Sequence, residues 1–173
     1  MATDTYLSSV PENTSILQAT KFTFMIPDKP FLRYFCQTVL IPGVSTNAVE
    51  VPTPFSKTYR HGDRLEFEPL VITALIDEDM RVWEETYGWL RSFTKTKDLS
   101  EYARTPKHTP SKIYSDGYLT INTNANKTNM RFKFINVQPT GIGNINFDTK
   151  VDADVIPTAD FSFRYDYYEI DRL

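Results

Sequence analysis

Hydrophobic and polar positions alternate with a period of two along much of this chain. From Lys21 to Ile26, Phe22, Phe24 and Ile26 oppose Lys21, Thr23 and Met25, the pattern of a half-buried strand, and Pro27-Asp28-Lys29-Pro30 reads as its closing turn. Phe31 to Ile41 reads as a returning strand, broken by Pro42-Gly43. The segment from Val44 to Arg60 carries Pro52 and Pro54 among polar residues, which disfavours a central strand and predicts a long extended loop or an edge hairpin. Asp63 to Leu75 resumes the alternation, with Leu65, Phe67, Val71, Thr73 and Leu75 on one face. Its second face turns apolar halfway along, so another element must cover it there.

The period then changes. Asp77 is a helix N-cap candidate, Glu78 and Asp79 put negative charge in a first turn, and Met80, Trp83, Tyr87 and Leu90 recur at spacings of three and four. The spacing predicts a helix over about 78–93, with those four residues as its packing stripe. Thr94 to Ser115 is polar and reads as a second long loop. Strand-like runs follow at Gly117–Asn122, Met130–Val137, Ile142–Val151 and Thr158–Ile170, separated by Asn-, Gly- or Pro-containing turns. In the last run Phe161, Phe163, Tyr165 and Tyr167 share a face and mark a strongly buried side. The sum is a mainly β fold: a β-sandwich or partly open barrel of six to eight antiparallel strands, one flanking α-helix and long loops. Residues 1–19 lack a sustained period and read as an N-terminal arm that orders against a neighbour, with residues 20–173 as a single β domain.

Composition narrows the function classes. The chain of 173 residues is 40% hydrophobic with 12 Phe and 10 Tyr, enough to bury a core without staples. A net charge of −3 lacks the basic footprint that captures nucleic acid through phosphate contacts. Cys36, the only cysteine, lies in an aromatic run and reads as a small buried thiol, not a nucleophile. No leader or bilayer-spanning run is evident, so no membrane anchor is expected.

Catalytic, cofactor and metal candidates are weak. Asp77, Glu78 and Asp79 are accounted for by the helix dipole, and His61 and His108 stand without ligand-spaced partners. Gly141-Ile142-Gly143-Asn144 lacks the third glycine and the helix of a phosphate loop. Trp83, Trp89 and the tyrosines lack the basic interleaving of a base-stacking surface, so packing and interfaces are their default role. The expectation is a non-enzyme with no cofactor.

The order of several short stretches resembles the tail-tube family of contractile, T4-like bacteriophages, to which the tube proteins of type VI secretion systems and pyocins are akin. The stretches are Phe35-Cys36-Gln37-Thr38-Val39-Leu40-Ile41-Pro42-Gly43, Val51-Pro52 with Lys57, Gly62-Asp63-Arg64-Leu65-Glu66-Phe67, Pro69-Leu70-Val71-Ile72-Thr73 before Asp77-Glu78, Val137-Gln138-Pro139-Thr140-Gly141-Ile142-Gly143, and Tyr165-Asp166-Tyr167-Tyr168-Glu169. Together they cover most of the chain from about residue 20 to 170.

The resemblance implies a structural virion protein, assembled in the host cytoplasm. It would form hexameric rings stacked into the inner tail tube, the conduit for genome ejection. It also implies contacts with a tail sheath protein, a tape-measure protein and baseplate tube-initiator proteins, with genomic DNA passing through the lumen without specific binding. The Val44–Arg60 segment would reach the adjacent ring, making Val44, Val49, Val51, Phe55, Lys57, Tyr59, Arg60 and His61 the contact candidates, and the arm would tie neighbours together. Two alternatives remain open at this stage: a baseplate-proximal initiator ring of the same fold, and a ligand-binding β-sandwich using exposed aromatics.

Overall fold

The computed structural model describes residues 14–94, 114–150 and 155–172. Among them lie eleven strands and two helices, in the order β1 (Phe22–Met25), α1 (Pro30–Phe35), β2 (Cys36–Val39), β3 (Val44–Thr46), β4 (Val49–Pro52), β5 (Lys57–Arg60), β6 (Leu65–Phe67), β7 (Leu70–Leu75), α2 (Arg81–Phe93), β8 (Ser115–Asn122), β9 (Thr128–Ile142), β10 (Thr158–Arg164) and β11 (Tyr168–Arg172). Seven strands form one antiparallel sheet in the order β1-β8-β9-β10-β7-β2, with β11 also paired to β9. Two small ladders, β3 with β6 and β4 with β5, stand apart from it. The seven-stranded sheet with α2 on its flank is the expected sandwich architecture.

The alternation places the core. Phe24, Leu119, Phe132, Phe134, Ile72, Ala74, Phe161 and Phe163 all turn inward from their strands, each no more than 7% exposed. The opposite face is polar: Thr73 donates its hydroxyl to Asp160 Oδ1 at 2.7 Å across the β7–β10 pair. One face is thus assigned to the core and one to water or a partner.

Several elements differ from the sequence reading. The expected strand from Phe31 begins as α1, because Pro30 at the first helical position presets φ and Leu32 is the one residue of the six that must be buried. The expected Asp63–Leu75 strand is split into β6 and β7 ahead of Leu70, where Pro69 has no N–H to give to a ladder. Met130–Val137 and the turn after it are a single strand, β9, which runs through Pro139 to Ile142. Strand β8 ends opposite Val137, and β10 shifts register between Ser162 and Phe163, so the missing N–H of Pro139 falls beside a bulge. Residues 143–150, expected as a strand, form none; Gly143 N–H instead donates to Asp160 O at 2.6 Å as the chain leaves the sheet.

The C-terminal run is also two strands. Asp166 and Tyr167 turn a corner between β10 and β11, where Asp166 N–H donates to Ile135 O and Ile135 N–H to Tyr167 O, both at 3.0 Å. Opposite the corner, Asn136 sits at φ 56° and gives its side-chain amide to Asp166 Oδ2 at 2.6 Å. The corner reverses the parity: Tyr165 is buried, but Tyr167 is 46% exposed and its neighbour Tyr168 packs on Phe132, Phe134 and Tyr165.

Helix α2 starts at Arg81, three residues later than expected, after a turn in which Met80 N–H donates to Asp77 O. Asp77 still caps it: its carboxylate accepts from the Arg81 and Val82 amides at 3.1 and 3.3 Å. The face turned to the sheet carries Val82, Thr86 and Trp89, with Trp89 tilted against Phe163. This is one step round from the expected stripe. Met80 packs on the core from outside the helix, Trp83 and Leu90 are half-buried, and Tyr87 is exposed. The buried face is narrow and includes a Thr, whose hydroxyl is satisfied by Val82 O at 3.0 Å, so large apolar residues alone mislocated it.

Candidate assembly surface

Strands β4 and β5 form a hairpin whose residues are all exposed except Val51, which is half-buried. Pro54 and Phe55 make its tip. Thr53 N–H donates to Ser56 O at 3.0 Å, Ser56 N–H returns to the Thr53 hydroxyl at 3.1 Å, and that hydroxyl also donates to Ser56 O. The register pairs Val49 with Arg60, Glu50 with Tyr59, Val51 with Thr58 and Pro52 with Lys57. One face therefore presents Val49, Val51, Thr58 and Arg60, and the other Glu50, Pro52, Lys57 and Tyr59. Lys57 Nζ meets Glu50 Oε1 at 2.8 Å, an exposed pair that contributes little stability. Phe55 is fully exposed, and Val49 and Tyr59 are 55% and 63% exposed.

The root holds this arm in one direction. Strand β3 pairs with β6, setting Val44 opposite Phe67 and Thr46 opposite Leu65. Asn47 gives its amide to Glu66 Oε1 at 2.7 Å, and the Thr46 hydroxyl approaches Gly62 O at 3.5 Å. A Cβ at Gly62 would lie 1.9 Å from Asn47 O, so only glycine permits this approach. Below the root, Phe67 packs edge-on against Tyr165 and Tyr168, Arg164 Nη1 donates to Phe67 O at 3.2 Å, and the Tyr165 hydroxyl donates to Glu68 O at 3.0 Å. Burial pushes the Tyr165 phenol up to about 12, so this donor keeps its proton. The arm is thus rooted in the aromatic corner between β10 and β11.

The structure brings Val44, Val49, Val51, Phe55, Lys57, Tyr59 and Arg60 onto this arm and its root, and His61 follows exposed at the arm's end. Sequence reading missed Leu40, Ile41 and Leu65 beside the root, each 47% exposed or more, and Tyr34 on α1, 82% exposed. Leu40 and Ile41 follow β2 directly, and Leu40 N–H still donates to Val71 O at 3.0 Å, so nothing in the alternation marked them as exposed. Outside the arm, Trp83 and Tyr87 stack at 4.7 Å on α2, with the Arg91 guanidinium 5.8 Å from the Tyr87 ring. Ile16 and Leu17, in the described part of the expected N-terminal arm, are exposed, and Ile16 O accepts from Asn124 Nδ2 at 3.1 Å. Residues 1–13 and the expected 95–113 loop lie outside the described residues.

Among the described residues no group of three or more His, Cys, Asp or Glu gathers to hold a metal, and no helix is long and apolar enough to cross a membrane. Burial pushes the Cys36 thiol up to about 12, which removes the thiolate a nucleophile needs.

Known proteins carry the same fold. The chain is 23% identical to the tail tube terminator protein of Enterobacteria phage T4 over 162 residues, 88% of each chain. It superposes on a chain of the anti-feeding prophage baseplate with a TM-score of 0.64, at 8% identity, covering 92% of this chain and 98% of that one. It also superposes on the tube-terminating cap of the anti-feeding prophage with a TM-score of 0.62, at 9% identity over 98% and 99% of the two chains. The phage tail tube protein family model matches residues 7–171. That match sets aside the ligand-binding sandwich, since the exposed aromatics now sit on a structural scaffold. The family model spans the exposed arm and the seven-stranded sheet alike, and the chain belongs to the phage tail tube protein family, a structural component of the virion tail.

Proposed function

We propose that six copies of this chain close into a ring that stacks coaxially within the inner tube of a contractile phage tail, the conduit for the genome. The observation that carries this reading is the β4–β5 arm, whose apolar Val49, Phe55 and Tyr59 are left largely exposed in the protomer. A two-stranded hairpin without a covered face is marginal in water, so the arm has its use against another copy. The open edges at β1 and β2 supply the second requirement, since unpaired edges that close on copies of themselves give a ring and remove an aggregation hazard. Val44, Val49, Val51, Phe55, Lys57, Tyr59, Arg60 and His61 are the inter-ring and inter-subunit contacts in this reading, and residues 1–19 the tie between neighbours. Sheath, tape-measure and baseplate tube-initiator proteins are its partners, and DNA passes without specific binding because the chain carries net negative charge.

A second reading gives the ring an address at the end of the tube. It is favoured by the match to the phage T4 tail tube terminator along 88% of both chains. Negative-stain microscopy with mass photometry across a concentration series tests both. Tubes of uniform diameter support the bulk tube, and single closed rings that do not elongate support an end ring. A strictly monomeric chain, alone and with preformed tube, would sink the hexamer.

A further inference from the structure

Glu85 is a titratable group on α2 outside the proposed assembly contacts. It lies half-buried on the side of α2 that meets α1, and its Oε2 atom is out of contact with water and has no hydrogen-bond partner. The backbone N–H groups of Phe31 and Leu32, at the start of α1, donate toward its carboxylate, and Lys29 is the cation that acts on it. The Lys29 ammonium is itself 5.2 Å from the Trp89 ring centroid, one turn further along α2. Helix α1 has no side-chain cap of its own, so this carboxylate serves its first amides from the neighbouring helix. Helix α1 runs without a loop into β2, an edge strand paired to β7 alone, with a register shift between Cys36 and Thr38.

We propose that Glu85 is a proton-controlled clasp between the helices: protonation tightens the seat of α1 on α2 and steadies edge strand β2, and ionisation loosens both. The charged form is held where one oxygen finds no donor, and two amides with one lysine only partly offset its loss of water. Other charges near this contact are spoken for or turned away. Arg81, one turn earlier, pairs with Asp79 and lies over Phe31; Arg33 and Glu84 are exposed; and β1 and β7 carry no charged residue. On β9, Arg131 and Lys133 alternate with the buried Phe132 and Phe134 and so face away from the helices. Desolvation raises the Glu85 carboxyl above its ordinary value, with Lys29 and the two amides opposing. A carboxyl raised in the folded state binds its proton more tightly there than in the unfolded chain. Its contribution is therefore full at low pH and is lost as pH rises through the folded value.

The test is thermal unfolding of the full chain and its Glu85→Gln variant over a pH series, with amide exchange protection of Gln37, Thr38 and Val39 as the second readout. Glutamine copies the neutral acid, so E85Q should melt higher than the parent near pH ~8, with the gap closing near pH ~3, below the ordinary glutamate value of about 4.3. The gap at pH ~8 should widen in a Lys29→Gln background, because the lysine supports only the ionised form. Protection of the β2 amides at high pH should be greater in E85Q. The parent chain gives an independent check through Trp89 emission in a Trp83→Phe background, which should titrate with the same midpoint as the gap. A gap that does not change with pH, or an E85Q chain that melts lower throughout, overturns the clasp. Unchanged β2 protection overturns the link to the edge strand.

Discussion

Two residues on the arm do opposite things. Gly62 is a requirement of the backbone: the Cβ of an alanine would meet Asn47 O at 1.9 Å, so the root of the arm must open. Gly62→Ala should cost about 1–3 kcal/mol, in the range of strained-backbone substitutions, and should also abolish assembly. Phe55, fully exposed at the tip, serves only the proposed contact between copies. Phe55→Ser should leave protomer unfolding within about 0.5 kcal/mol of the parent while lowering the yield of rings or tubes. Urea unfolding set beside mass photometry separates the two. If Phe55→Ser assembled as well as the parent, the tip would have no part in the contact. In the sequence Gly62 stood out only as the first residue of the Gly62–Phe67 stretch that carries the resemblance. That it faces a carbonyl fifteen positions earlier depends on the β3–β6 pairing, which brings Asn47 and Gly62 together.

At the scale of elements, α2 decides which of its faces matters. Trp89 is 6% exposed against Phe163, whereas Tyr87 is 39% exposed and stacks on Trp83. Trp89→Ala should therefore cost about 3–5 kcal/mol, and Tyr87→Ala should fall within about 0.5 kcal/mol of the parent. Equal losses in chemical denaturation would restore the stripe read from sequence. Asp77→Ala should cost about 1 kcal/mol, because its carboxylate holds the first two amides of the helix. The helix itself was legible from the change of period after Leu75 and from Asp77. Its facing was not, because Trp83, Tyr87 and Leu90 make as good a 3–4 repeat as Val82, Thr86 and Trp89.

For the whole molecule, the arm and the sheet are separable. Replacing residues 49–60 with a short Gly-Ser turn removes little buried surface, so the core around Phe24, Phe134, Phe161 and Phe163 should remain cooperative. The shortened chain should unfold in a single transition and remain below ring mass at concentrations where the full chain assembles. Loss of the cooperative transition would show that the arm belongs to the fold.

What the sequence by itself determined was the class of fold: period-two runs gave strands with one buried face, and a single change of period located α2. Periodicity reports each segment's own preference for facing inward, and that preference is local. Tertiary structure decided the rest, because those features depend on which segments meet. Pro30 opens a short helix that buries Leu32; Pro139 is tolerated in β9 because β8 has already ended; and the parity of Tyr165, Tyr167 and Tyr168 is reset at a corner held by Asn136. The arm's direction follows in the same way, from Phe67 lodged among tyrosines a hundred residues away in the chain, a contact that no local pattern encodes.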